Sequence, residues 1–135
     1  MINLEKMDKI ILLLQNRHDK EGIGWENCYT HGILKPVIDV LGGDDSYIRM
    51  QSDSKMYPLP TAEFEIDLDI QDRIRAVNPD YIIACGVAAK KSVEGLEYPI
   101  FKMPHPAWRG FNKEMQLKCA EAVAQRYVGN LEDLL

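Results

Sequence analysis

Three largely apolar stretches of the chain set the fold. Ile10 to Leu14, inside the run 8–15, shows no polar alternation, as expected of a central strand covered on both faces. Asp80 to Cys85 repeats that pattern, stops at Gly86 and predicts a second buried strand. Tyr98 to Met103 is a shorter third run, predicted to be the last strand. Helical spacing fills the intervals. From Asn27 the apolar positions Ile33, Val37 and Val40/Leu41 share one side, and Gly42-Gly43 ends the pattern as glycine does at helix C-termini. Pro36 within it predicts a late start or a kink. Asp67 to Val77 carries Ile70, Ile74 and Val77 at i, i+4, i+7, an amphipathic helix with Asp67 and Asp69 at its positive end. Gly86 to Val93 reads as a short helix. Phe111 to Tyr127 predicts a closing helix with Phe111, Met115, Cys119, Val123 and Tyr127 inward, ended by Gly129 and followed by a frayed tail. Ser46 to Met50 is a short strand candidate, and 51–66, with Pro58 and Pro60, an irregular loop.

This alternation predicts an α/β protein: a three-layer α/β/α sandwich around a central, mainly parallel four-stranded sheet. At 135 residues it is expected to be a single domain over 1–135. Ligands in such folds bind beyond the carboxyl ends of the strands. Three loops are expected to meet there: 16–26, 51–60 and 104–110. The last holds His105 between Pro104 and Pro106, a rigid turn that presents an imidazole to a ligand.

Charge and cysteines narrow the classes. A net charge of −5 argues against binding that leans on phosphate neutralisation alone. Its distribution is uneven. Residues 86–113 carry Lys90, Lys91, Lys102, Arg109 and Lys113 against Glu94 and Glu97, a window of net +3 around His105. That is a basic lip able to engage a nucleic-acid backbone, or else a scatter of solvated lysines. Cys28, Cys85 and Cys119 are odd in number and form no Cys-x-x-Cys, which argues against zinc and iron–sulfur clusters. A reduced, cytoplasmic protein is expected. No apolar run approaches the roughly 20 residues of a membrane helix, and the amino terminus lacks a signal-peptide layout.

Several segments together resemble the uracil-DNA glycosylase superfamily. In that family a strand ends in a motif such as Gly-Gln-Asp-Pro-Tyr-His, and Leu14-Gln15-Asn16-Arg17-His18 stands at the corresponding strand end. Gly24-Trp25 resembles its Gly-x-Pro-Phe element, and Gly32 to Leu41 its first helix. Cys85-Gly86-Val87-Ala88-Ala89 matches an apolar strand ending in Gly, two residues, then Ala. His105-Pro106-Ala107-Trp108-Arg109 matches the His-Pro-Ser motif with its following Arg. The likeness spans roughly residues 8–127.

The resemblance implies a role for each of these residues. His105 would donate a hydrogen bond to the base as negative charge develops on it. Asn16 or Asp19 would orient or activate water, or support the sugar cation. Trp25 would stack on the flipped base, with Tyr29 as a weaker substitute otherwise expected in the core. Gln15 and Gln51, with Asp53, are the candidates for reading the base edge. Trp108 would fill the gap left in the duplex, and Arg109 and Lys113 would contact phosphate. Ala107 replaces the family's serine and removes one phosphate contact. The uracil-reading asparagine has no clear counterpart, which points to a modified pyrimidine as an alternative to uracil.

The implied activity is hydrolysis of an N-glycosidic bond in DNA by a monomer, without metal, cofactor or membrane. Alternatives are a catalytically inactive DNA or nucleotide binder, a related enzyme on free nucleosides or nucleotides, and a plain flavodoxin-like binding domain.

Overall fold

A computed structural model describes residues 9–15, 24–52 and 66–135. Among them are five strands: β1 (Ile10–Leu14), β2 (Ile48–Gln51), β3 (Tyr81–Cys85), β4 (Ile100–Met103) and β5 (Gly129–Asn130). The helices are α1 (Tyr29–Leu41), α2 (Ile70–Val77), α3 (Val87–Ser92) and α4 (Lys113–Ala124). The strand order is β2-β1-β3-β4-β5, and every neighbouring pair is parallel.

A parallel sheet needs helices on both faces, and the buried side chains divide accordingly. Ile10, Leu12 and Leu14 of β1 point to one core with Leu34, Val37 and Ile38 of α1 and Cys119, Ala120 and Val123 of α4. Ile11 and Leu13 point the other way, against Ile70 and Ile74 of α2 and Ala89 and Val93 near α3. All five β1 side chains are buried, which is why that run carries no polar alternation. The three-layer α/β/α architecture follows. No helix among the described residues is long and apolar enough to cross a membrane.

The fifth strand corrects the expected four. Gly129 and Asn130 pair with Phe101 and Lys102 of β4, and Leu131 beyond them is buried. The tail is therefore anchored to the sheet and does not fray. Gly129, at φ +144, does not end the helix, which stops at Ala124 with Gln125 as its cap; it begins β5. α4 is shorter than the helix predicted over 111–127. Its start is fixed by the Asn112 side chain, which accepts from the Met115 N–H at 2.9 Å. At its other end the Tyr127 N–H donates to the Ala122 carbonyl at 2.9 Å, and Arg126, at φ +54, turns the chain toward β5. Phe111 is still buried, and Met115 and Tyr127 pack against the core half-buried.

α1 does not wait for Pro36, which lies inside it. The carbonyl that Pro36 leaves without a helical partner belongs to Gly32, on the exposed side, where solvent satisfies it. The inward stripe is also rotated from the expected one: Leu34 and Ile38 are buried beside Val37, whereas Val40 is exposed.

Candidate functional site

Because all strands are parallel, the residues following Leu14, Gln51, Cys85 and Met103 leave from one edge of the sheet. Chain connections from β1 and β3 diverge to opposite sides there, the switch point at which open α/β sheets hold ligands. The expected loops 16–26 and 51–60 do start at that edge. Asn16, His18, Asp19 and Asp53 lie outside the described residues.

His105 follows β4 by two positions and sits on Gly86, at the end of β3. A side chain on Gly86 would bring its Cβ within 2.9 Å of the His105 Cβ. Gly86 also has φ +93 and ψ 174, a conformation open essentially to glycine alone. Its N–H donates to the Met103 carbonyl at 2.9 Å, tying the β3 and β4 ends together. Glycine is thus needed twice over, for its backbone angles and for the imidazole's approach.

The turn after β4 then fixes the ring. The Trp108 N–H donates to the His105 carbonyl at 2.9 Å, closing a turn with Pro106 in the second position that proline favours. The Ala107 N–H donates to His105 Nδ1 at 3.1 Å. A nitrogen that accepts cannot also carry the proton, so the neutral imidazole bears its hydrogen on Nε2. His105 is therefore set as a hydrogen-bond donor through Nε2.

A second turn follows directly, the Phe111 N–H donating to the Trp108 carbonyl at 3.0 Å. Trp108 folds back over Gly110, where a Cβ would come within 2.3 Å of the indole, yet 53% of Trp108 stays exposed. Arg109 is exposed in this turn, and Lys113 is the exposed first residue of α4. His105, Trp108, Arg109 and Lys113 are thus brought to one corner of the carboxyl edge.

Gln15 and Gln51 stand at the β1–β2 end of the same edge. The register sets Gln51 opposite Leu14, one position before Gln15, and both are half-buried. One strand spacing, roughly 5 Å, separates β1 from β3, and two separate it from β4. Ser52 seals this end: its N–H and its hydroxyl both donate to the Leu14 carbonyl, at 2.9 and 2.8 Å. Ser52 is fully buried, and nothing in the local sequence marks it.

No family model matches the chain, and no curated protein does.

Trp25 belongs to a different group of contacts, on the α1 side of the sheet near β2. It lies in a 3₁₀ turn, Trp25–Asn27, just before α1. Its indole N–H donates to the Tyr47 hydroxyl at 2.6 Å, and that hydroxyl donates to Asp44 Oδ1 at 2.7 Å. His31 Nε2 lies 3.0 Å from the same oxygen and meets the indole edge-on, with ring centroids 5.3 Å apart. The Arg49 guanidinium lies over the indole, 4.6 Å from its centroid. The Tyr47 hydrogen bond, aided by His31, holds the Asp44 carboxyl below its ordinary range against a smaller opposing effect of burial. Burial and the Asp44 carboxylate push the Tyr47 phenol well above its usual range. This network locks the approach to α1 onto the approach to β2, and it occupies the N–H, an edge and a face of Trp25.

Tyr29 corrects an expectation. It is not in the core: as the first residue of α1 it is 71% exposed at the carboxyl edge. Among the described residues no group of three or more His, Cys, Asp or Glu converges as metal ligands would.

Proposed function

We propose that the protein is a DNA glycosylase that hydrolyses the N-glycosidic bond of uracil or a modified pyrimidine, acting as a monomer without metal or cofactor. The observation that carries the reading is the fixed tautomer of His105. With Nδ1 accepting from the Ala107 N–H, Nε2 offers a hydrogen at the strand ends where α/β ligands bind. In the hydrolysis the bond from C1′ to the base nitrogen breaks and the base takes the electron pair. Water supplies the oxygen that bonds C1′, and its proton completes the departing base. Negative charge therefore gathers on a pyrimidine oxygen in the transition state, and a donor held in place beforehand lowers that barrier. Gln15 and Gln51, amide side chains two and three strands from β4, have the donors and acceptors to read a base edge. Asn16 and Asp19 remain the proposed water-orienting groups, on the resemblance. Three cysteines outside any disulfide, two of them buried, suit a reducing cytoplasmic compartment.

The test is a panel of labelled oligonucleotides carrying uracil and modified pyrimidines, incubated with protein and then cleaved by alkali at abasic sites. Breaks that disappear in His105→Ala support the reading and identify the base. A panel without breaks refutes it.

A second reading draws on the fifth strand. The order 2-1-3-4-5 is that of flavodoxin-like domains, whose ligand lies at the β1/β3 switch point. It favours a non-catalytic nucleotide binder, recognised by nucleotide affinity without base release.

A further inference from the structure

The two most exposed aromatic side chains among the described residues lie at one edge of the sheet, at the head of α1 and in the turn before α4. α1 and α4 both return the chain from the carboxyl edge of a parallel sheet, so they run in the same direction, and they pack directly on each other. Tyr29, 71% exposed, opens α1, and Trp108, 53% exposed, sits in the turns that lead into α4. Arg109 and Lys113 are exposed at the same α4 head. Trp108 is held against Gly110, so its ring is ordered before any partner arrives. Tyr29, on the first turn of a helix, is likewise borne on a rigid element.

From this rim we infer that the protein binds single-stranded DNA, with Tyr29 and Trp108 each stacking on an unpaired base and Arg109 and Lys113 following the backbone. The inference rests on the reading that the partner is DNA, and it specifies the form. Two considerations select the single strand. An exposed ring finds a free base face only where bases are unpaired, and such stacking tolerates any sequence. A duplex interface instead takes most of its affinity from phosphate neutralisation along two strands. A chain of net charge −5, with Glu114 next to Lys113 in the first turn of α4, is poorly supplied for that. Arg109 and Lys113 are the cations this rim supplies, enough to follow one backbone over about two phosphates.

The experiment is fluorescence anisotropy with an undamaged, labelled oligonucleotide, single-stranded and annealed to its complement, across a salt series. The proteins are wild type, Tyr29→Ala, Tyr29→Phe and Trp108→Ala; both side chains are exposed, and thermal melts verify folding. The single strand is expected to bind at least about tenfold tighter than the duplex. Each alanine variant is expected to weaken it about tenfold, a typical loss for one base–aromatic stack, while Tyr29→Phe retains affinity. With about two phosphates neutralised, the slope of log K against log salt should lie near −1.4. Equal or tighter duplex binding, or an unchanged Tyr29→Ala, overturns the inference. Base release is scored separately on the same proteins. Release that needs His105 but is indifferent to strandedness and to Tyr29 removes the single-strand rim and keeps the glycosylase. Tyr29-dependent single-strand binding without release does the reverse, and no DNA binding at all removes both.

Discussion

Gly86→Ala is the substitution whose cost the structure specifies most fully. Gly86 has φ +93 and ψ 174, where a side chain costs about 1–3 kcal/mol of backbone strain. The new Cβ would also fall 2.9 Å from the Cβ of His105 and 3.6 Å from its Cα. These atoms cannot swing aside, because His105 is bounded by two prolines and Gly86 is bonded to Met103 at 2.9 Å. Overpacking of that kind adds about 1–3 kcal/mol. Gly95 provides the control: it too has positive φ, +82, but open space where a Cβ would lie. Gly95→Ala should show strain alone, about 1–2 kcal/mol. Urea unfolding should therefore rank Gly86→Ala at about 3–4 kcal/mol of destabilisation and Gly95→Ala at no more than about 2 kcal/mol. Thermal midpoints should fall by about 3–5 °C per kcal/mol for a chain of this size. In the folded fraction of Gly86→Ala, any base release should drop further than stability accounts for, because His105 is displaced. Equal destabilisation by the two substitutions would refute the seating of His105 on Gly86.

Other expectations rest on separate parts of the molecule. Tyr81→Phe deletes a hydroxyl that donates to the Tyr127 carbonyl at 2.6 Å and should cost about 1–2 kcal/mol in urea unfolding, since that carbonyl joins α4 to β5. Asp44 has its pKa lowered from its ordinary 3.8, chiefly by the Tyr47 hydrogen bond, so its stabilisation is complete above that value and is lost as pH falls through the lower folded one. Wild type should accordingly lose more stability than Asp44→Asn between pH 5 and the folded-state titration, and parallel curves would contradict the network. Burial pushes the Cys119 thiol up to about 12 and the Cys85 thiol higher still, whereas Cys28 is half-buried. A thiol reagent at neutral pH should label Cys28 in the native protein, and mass spectrometry should find Cys85 and Cys119 modified only after unfolding.

Strands buried on both faces were legible because short continuous apolar runs such as Ile10 to Leu14 and Tyr81 to Cys85, ended by polar residues or glycine, suit a sheet covered on both sides. Gly129–Asn130 was not, since two residues carry no periodicity and a glycine after a helical pattern reads as a helix stop. Their strand exists through pairing with Phe101 and Lys102, a tertiary cause. The turn around His105 was visible in its flanking prolines. Its tautomer was not, because it depends on the direction of the backbone N–H of Ala107. Trp25 stood out as a tryptophan near glycines, but its partners at positions 31, 44, 47 and 49 are joined only by the fold. Tyr29 was read inward from its residue type, and the actual helix phase turns it out.

What His105 offers a ligand is decided by which ring nitrogen carries its hydrogen. Long-range proton–nitrogen NMR of the imidazoles reads this directly, with the His105 signals assigned through their loss in His105→Gln. In the neutral ring the hydrogen is expected on Nε2, and its N–H resonance should shift when an oligonucleotide bearing the excised base is added. A neutral ring protonated on Nδ1, or an Nε2–H signal that ignores such DNA while the DNA is bound, would contradict that expectation.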